Sequence, residues 1–284
     1  MCFAVRGIGW DFGTGSGLYV ASTSRNVKNR SQFLFQTLTS AFQYYLSVDL
    51  LNTFLKLIPG VGTPEGGSIY ISILPPAQRA LMAFMITFTT GLLVPGLLGL
   101  GYDIGTFFAV LVLRHDPAAW PPLFDKPWGR TSIHAHWARG WHNLLRQTFF
   151  ILGGFPFQAF LGRVGLEFGT FFGSALYHYL AMYSIGRTDL RVLVFFTAQF
   201  FGMRLEKWWR RSTGYAVGGP LGFLWLFVWM TGTGQIYSEA LMTAGVGGGT
   251  IIPSWLSIGQ RWALPYMKAA LTNTFPVLFP PLAA

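Results

Sequence analysis

Long apolar stretches alternate with shorter polar ones along most of this chain, and the apolar stretches have the length of membrane helices rather than of strands. Residues 1–31 are polar and rich in Gly and Ser, and read as an N-terminal loop. The first predicted helix covers 33–57 and contains Asp49, which either faces inward or marks the end of a span. Ile58-Pro59-Gly60-Val61-Gly62-Thr63-Pro64 is a turn cluster. The next helix is predicted from Pro76 to Leu98, with a break at Gly99, Gly101 and Asp103. The run Ile104 to Leu113 is then too short to cross a bilayer, so it is re-entrant or continues the helix after a kink. After a long polar stretch, Arg114 to Gln147, apolar segments recur at 148–161, 165–185, 190–205, 215–231 and 240–258. The last of these is the weakest as a helix because of Gly245, Gly247, Gly248 and Gly249.

The resulting expectation is an all-α, polytopic integral membrane helix bundle of six to seven spans. It has a polar segment, 1–31, and one membrane-embedded domain, 32–284, and no internal repeat is evident. Composition agrees: 52% of residues are hydrophobic, 11% are charged and the mean hydropathy is +0.43, against about 25% charged in soluble domains. The net charge of +10 comes partly from two clusters, Lys126 to Arg146 and Arg204 to Arg211, which the positive-inside rule places in the cytosol. Because these bases flank apolar segments, a lipid membrane rather than nucleic acid is the expected partner. An even number of crossings must then separate Arg146 from Lys207, although three apolar segments lie between them. The segment expected not to cross is 148–161, which Gly153-Gly154-Phe155-Pro156 interrupts. Cys2 stands alone and excludes an internal disulfide, and Met1 to Asp11 lack the pattern of a signal peptide.

His178 is the first candidate for chemistry, because an ionisable group is costly inside a bilayer and an imidazole titrates near neutral pH. It reads equally as a proton-transfer group or as a buried histidine bonded to a neighbouring helix. Glu167 lies three helical turns earlier at nearly the same azimuth, facing one cavity with His178 or serving as an interfacial carboxylate. The segment His136 to Arg146, if helical, puts Arg139, His142, Asn143 and Arg146 on one face, with Trp137, Trp141 and Leu145 largely on the other. That face suits either a phosphorylated ligand or an interfacial amphipathic helix against anionic lipid. His134, His136 and His142 match no metal-site spacing, so no metal is expected. Gln199 and Glu206 share a helix face, and Glu206, among Arg204, Lys207 and Arg210, reads as a structural salt-bridge residue. No GxSxG elbow, Walker loop or dinucleotide fingerprint occurs in a usable context, and the Gly-rich stretch Gly245 to Gly249 reads as a helix break.

Four pieces taken in order resemble the wax synthase-like branch of the membrane-bound O-acyltransferases, particularly its fungal members that acetylate secondary metabolites. They are Arg6-Gly7-Ile8-Gly9-Trp10, then Pro122-Leu123-Phe124 with Pro127-Trp128, then His136-Trp137 to Arg146, then Ser174-Ala175-Leu176-Tyr177-His178; Phe195-Phe196 to Glu206 looks like a further block. The resemblance covers roughly residues 5–260. It implies transfer of an acyl group from acyl-CoA, with acetyl-CoA favoured, to the hydroxyl of a hydrophobic alcohol such as a terpenoid. It also implies residence in the endoplasmic reticulum and no permanently bound cofactor. His178 is implied as the base, with His142 and Asn143 orienting the acyl group or its oxyanion and Arg139 and Arg146 meeting the phosphates. This chain departs from the family pattern at Arg139-Gly140, where relatives carry paired arginines. It also begins almost at the Arg6 to Trp10 block, which points to a shortened N-terminus. The alternatives are a long-chain wax or sterol ester synthase, a small membrane terpene cyclase, which would place carboxylates mid-span, and a transporter, which would show paired broken helices.

Overall fold

Every regular element in the computed structural model, which describes residues 20–280, is helical, with no strand among the described residues. The long helices are α1 (Arg30–Leu57), α2 (Pro76–Leu111), α3 (Phe155–Ser184), α4 (Arg191–Thr213) and α5 (Gly219–Thr243), followed by the shorter α6 (Leu264–Thr274). The Arg6 to Trp10 block and Cys2 lie outside the described residues. The expected count of six to seven spans is not met. Among the described residues two segments are long and apolar enough to cross a membrane, Pro76–Leu111 and Arg146–Ser184. Helices α1, α4 and α5 have the length, but α1 contains Asp49 and Lys56, α4 carries five cationic side chains among Arg191, Arg204, Lys207, Arg210 and Arg211, and α5 holds Gln235 and Glu239.

The chain divides into two compact units. One comprises Thr37–Gly105 and Gly234–Ala284. Here Asp49 faces inward: it is 1% exposed and accepts hydrogen bonds from Ser257 Oγ at 2.5 Å and the Gly259 amide at 2.6 Å, holding the π-turn Gly259–Ala263. The expected break at Gly99 to Asp103 does not occur, and α2 runs through it. Gly99 is small for another reason, since a methyl group there would lie 2.5 Å from the Tyr44 ring. Segment 240–258 is not one helix. Helix α5 continues to Thr243, and Gly245, with φ +78°, turns the chain away so closely that a methyl group would meet the Pro64 carbonyl oxygen at 2.0 Å.

The other unit comprises Met1–Gln36 and Thr106–Thr233. Its central feature is a tight helical hairpin. The first arm passes through Arg146–Phe149 and the π-turn Phe150–Gly154 into the start of α3; Gly162, with φ +57° and ψ −141°, reverses the chain, and 163–184 is the second arm. Segment 148–161 is therefore the first arm, and the chain doubles back after it. The reversal falls at Gly162 rather than at Gly153-Gly154-Phe155-Pro156, where the backbone stays helical. The arms touch backbone to backbone. A methyl group on Gly153 would lie 2.1 Å from the Gly169 carbonyl oxygen, one on Gly169 would lie 2.3 Å from the Gly153 oxygen, and one on Gly165 would lie 2.1 Å from the Phe157 oxygen. Gly165, Gly169 and Gly173 form a GxxxGxxxG stripe, the small-residue pattern that lets helix backbones approach where water cannot drive association.

Helix α4 packs antiparallel on the second arm: Lys207 bonds Glu167 at one level and Phe196 stacks on His178 at another. Its inner face also holds the polar stretch that precedes the hairpin. Glu206, 8% exposed, accepts from the Ile133 amide at 2.6 Å, the His134 amide at 3.0 Å and Trp225 Nε1 at 3.1 Å. Its role is structural but not a salt bridge to the neighbouring cations. It satisfies donors that a helix N-terminus leaves open, and it sits where the helix dipole favours a negative charge. Two turns away, the fully buried Gln199 accepts from Trp137 Nε1 at 3.2 Å and donates to the Phe195 carbonyl and Thr233 Oγ1. Farther along, His136 is 4% exposed, donates from Nδ1 to the Pro127 carbonyl at 3.3 Å, and packs against Trp137 and Trp141. Burial, with the nearby Arg130 charge adding to it, lowers its pKa to about 4.

Two predictions follow from this scaffold. Gly169→Ala should separate the hairpin arms and cost about 1–3 kcal/mol by overpacking. Gly101→Ala, which meets nothing within 4 Å, should be neutral or stabilising because alanine favours helix. Thermal unfolding in detergent with proteolysis of the hairpin tests this, and equal stability of the two variants would refute the backbone contact. The second prediction concerns acid. His136 is held neutral in the folded chain while the unfolded chain takes up a proton near pH 6.5, so stability is full above that pH and declines as pH falls toward 4. By pH 5 the loss is about 2 kcal/mol. His136→Phe should flatten the dependence of the melting temperature on pH between 7 and 5, and parallel wild-type and variant curves would contradict it.

Candidate functional site

The hairpin, α4 and the stretch from His134 to Phe150 line a half-open cavity of about 230 Å³. One wall is a single face of α3, contributing Leu166, Glu167, Thr170, Phe171, Ser174 and His178, positions spaced by one, three or four residues. Helix α4 contributes Phe196 and Met203, and the preceding stretch supplies the rest, including Trp137, Trp141, His142, Asn143 and Arg146. The wall is largely aromatic, with a few polar groups converging on it, the usual make-up of a ligand site.

His178 is half-buried in this wall. Its Nδ1 lies 2.8 Å from the carbonyl oxygen of Ser174, one turn earlier on α3. A carbonyl can only accept, so Nδ1 carries the proton, and in the neutral ring Nε2 keeps the lone pair. The Phe196 ring lies 4.1 Å away at 24° and fixes the imidazole plane, while Tyr177 meets its edge. A histidine held by a backbone carbonyl and an aromatic face, beside a cavity, is arranged to take a proton from a ligand at Nε2.

His142, Asn143 and Arg146 line the same cavity as His178; Arg139 does not. The single helical face expected for Arg139, His142, Asn143 and Arg146 is not formed. His136–Gly140 is a π-turn, Trp141 leaves it extended with ψ 160°, and helix resumes only at Arg146. The cause is local. Gly140 is pressed against the Pro127–Gly129 turn, where a methyl group would lie 3.0 Å from Arg130 Cγ, and Arg130 is tied to Asp125 by a 2.5 Å ion pair. As a result Trp137, Trp141 and Leu145 share the cavity with the polar residues instead of opposing them. Arg139 is exposed, whereas the Arg146 guanidinium donates to the Ala138 carbonyl at 2.9 Å and lies over the Phe150 ring.

Glu167 lines the cavity as its spacing from His178 suggests, and it is paired: Lys207 Nζ donates to Oε1, and Arg204 Nη1 lies 3.7 Å from Oε2. Trp137, Phe171 and Met203, which the sequence reading did not single out as site residues, tie the wall to the core: Met203 belongs to the Ile133, Met203 and Leu226 cluster, and Trp137 and Phe171 pack on it. No group of three or more His, Cys, Asp or Glu that could hold a metal occurs among the described residues.

Residues 120–198 match the model of the membrane bound O-acyl transferase family. That match takes in most of the polar stretch, the hairpin with His178 and α4 as far as Ala198. The acetyltransferase aurG of Calcarisporium arbuscula is 27% identical over 149 residues, an alignment that covers 43% of this chain and 34% of the relative. The chain thus spans about a third of the length of that curated relative. No solved structure matches. Both similarities are to acyl-transferring proteins, and the family match takes in most of the residues that line the cavity.

Proposed function

We propose that the chain is an acyl-CoA-dependent O-acyltransferase of the wax synthase-like branch, active in the endoplasmic reticulum membrane, which esterifies the hydroxyl of a hydrophobic alcohol, a terpenoid-like molecule by preference. The observation that carries this reading is the 2.8 Å contact of His178 Nδ1 with the Ser174 carbonyl, which leaves Nε2 as the base beside an aromatic cavity. In the reaction the alcohol oxygen attacks the thioester carbonyl as its proton passes to Nε2. A carbon–oxygen bond forms, the carbon–sulfur bond breaks, and the imidazolium returns the proton to the departing thiolate. His142 and Asn143, on the same cavity wall, stabilise the oxyanion of the intermediate. No acyl-enzyme is needed, because the thioester is already activated.

The favoured donor is acetyl-CoA; the cavity of about 230 Å³ is half open, and the donor series below separates acetyl transfer from wax or sterol ester synthesis.

Microsomes carrying the protein, supplied with acetyl-, hexanoyl- or palmitoyl-CoA and a panel of hydrophobic alcohols, should form ester detectable by mass. His178→Ala should lower the rate by about 10²–10⁴-fold while leaving expression and melting temperature near wild type. Retained turnover in that variant rules out His178 as the base. Across the donor series, acetyl should exceed hexanoyl, and palmitoyl should be slowest; a palmitoyl optimum would instead favour the wax ester alternative.

A further inference from the structure

Helices α3 and α4 meet at two cross-links at opposite ends of the cavity wall. At one end Phe196 stacks on His178, and at the other Lys207 and Arg204 hold Glu167. The cross-links are eleven residues apart on both helices, His178 to Glu167 on α3 and Phe196 to Lys207 on α4. Eleven residues make almost a whole number of turns, so both lie on the inner face, separated by about 16 Å at a rise of about 1.5 Å per residue. The cavity wall runs between them through Thr170, Phe171 and Ser174.

We propose that Arg204 and Lys207 form a phosphate clamp for the nucleotide part of the thioester donor, and that Glu167 is its internal placeholder. This inference rests on the function proposed above and assigns the donor's orientation within it. The flexible arm of coenzyme A between pyrophosphate and sulfur contains about twelve bonds. At roughly 1.3 Å of advance per bond, set by bond lengths near 1.5 Å, it extends about 16 Å. Phosphate at Lys207 therefore puts sulfur at His178. Of the cations first expected to meet phosphate, Arg139 is exposed and off the wall, and Arg146 is engaged by the Ala138 carbonyl at 2.9 Å; Arg204 and Lys207 are also off the wall but are joined to it through Glu167, which lines the cavity. Arg204 and Lys207 are about a third exposed, at 30% and 32%, and so are open to an entering ligand, while Glu167 is 19% exposed. Without ligand, the carboxylate offsets one of the two positive charges and leaves the cluster with a net charge of about +1. A pyrophosphate, with more charge and more acceptor oxygens, displaces it.

The test uses the full chain in neutral phosphatidylcholine nanodiscs, titrated with coenzyme A and separately with pantetheine, which lacks phosphate. Binding is followed by tryptophan fluorescence, since Trp137 and Trp141 line the cavity. Wild type should bind coenzyme A at least tenfold more tightly than pantetheine. Lys207→Gln and Arg204→Gln should each weaken coenzyme A by about tenfold, the scale of one charge-assisted hydrogen bond, without moving pantetheine; Lys207→Arg should restore most of the loss. Glu167→Gln should tighten coenzyme A several-fold by removing the competitor. Equal weakening of both ligands, or weaker coenzyme A binding in Glu167→Gln, would show that the cluster is only structural and overturn the clamp. A parallel series in nanodiscs containing phosphatidylserine separates the other source of phosphate. If anionic lipid blocks the wild type but not Lys207→Gln, while coenzyme A affinity is the same in both proteins without it, the cations hold a headgroup and the proposal fails. Clamp-dependent coenzyme A binding with no ester from any alcohol would overturn the acyltransfer reading alone; ester formation with clamp variants indistinguishable from wild type would overturn the clamp alone.

Discussion

The contact of Gly153 with Gly169 is the constraint from which the rest of the site follows. With no side chain between the arms, the hairpin closes backbone to backbone, and only then do Phe149 and Phe150 lie beside the turn of α3 that bears His178. The Phe149 and Tyr177 rings meet at 5.7 Å, at the register this closure sets. In lipid the closure has no help from the hydrophobic effect, so it depends on van der Waals contact, which falls off steeply with separation. A single methyl group at this point moves one wall of the cavity away from the other.

The second arm is in turn referred to α4, whose inner face works as a series of stations. Phe196 sets the plane of His178, Gln199 holds the Trp137 indole, Met203 joins the packed core, and Glu206 closes the Ile133 and His134 amides. A buried carboxylate without partners would be costly. Glu206 offsets that cost with three donors, and in doing so fixes where the polar stretch begins. Gln199 and Glu206 thus position the cavity wall through buried hydrogen bonds.

Much of this was legible in the sequence, and the parts that were not share physical causes. The all-α class, the turn at Ile58 to Pro64 and the stop at Gly245 follow from hydropathy and glycine chemistry. The shared face of Gln199 and Glu206, and that of Glu167 and His178, follow from the 3.6-residue period, and both pairs hold in the structure. That same period misleads where the backbone departs from it. Through the π-turns His136–Gly140 and Phe150–Gly154, an i, i+3, i+4, i+7 reading assigns side chains to the wrong faces, as it does for Arg139. Glycine is ambiguous in a different way. At Gly99 and Gly153 it reads as a breaker, yet it serves close approach of Tyr44 and of Gly169, and only the partner distinguishes these uses. The stripe Gly165, Gly169, Gly173 was the available signal for the hairpin, visible as GxxxGxxxG.

The site must reconcile two opposing demands. A base that takes a proton from an alcohol works best in a dry, aromatic setting where Nε2 keeps its lone pair, whereas phosphates require cations and access to water. One cavity satisfies both only if the two ends are far apart and held at a constant distance. A pair of antiparallel helices does this without further machinery, because eleven residues on α3 and eleven on α4 must rise equally between the same two cross-links. At the far end the Glu167 carboxylate pairs with Lys207 and Arg204 and offsets part of their charge. Under the proposed acyl transfer, this arrangement would tie donor length to helix register. A shift of α4 by one residue against α3 would move Phe196 off His178 and Lys207 off Glu167 together, so the aromatic contact that orients the base and the ion pair at the far end stand or fall as a unit.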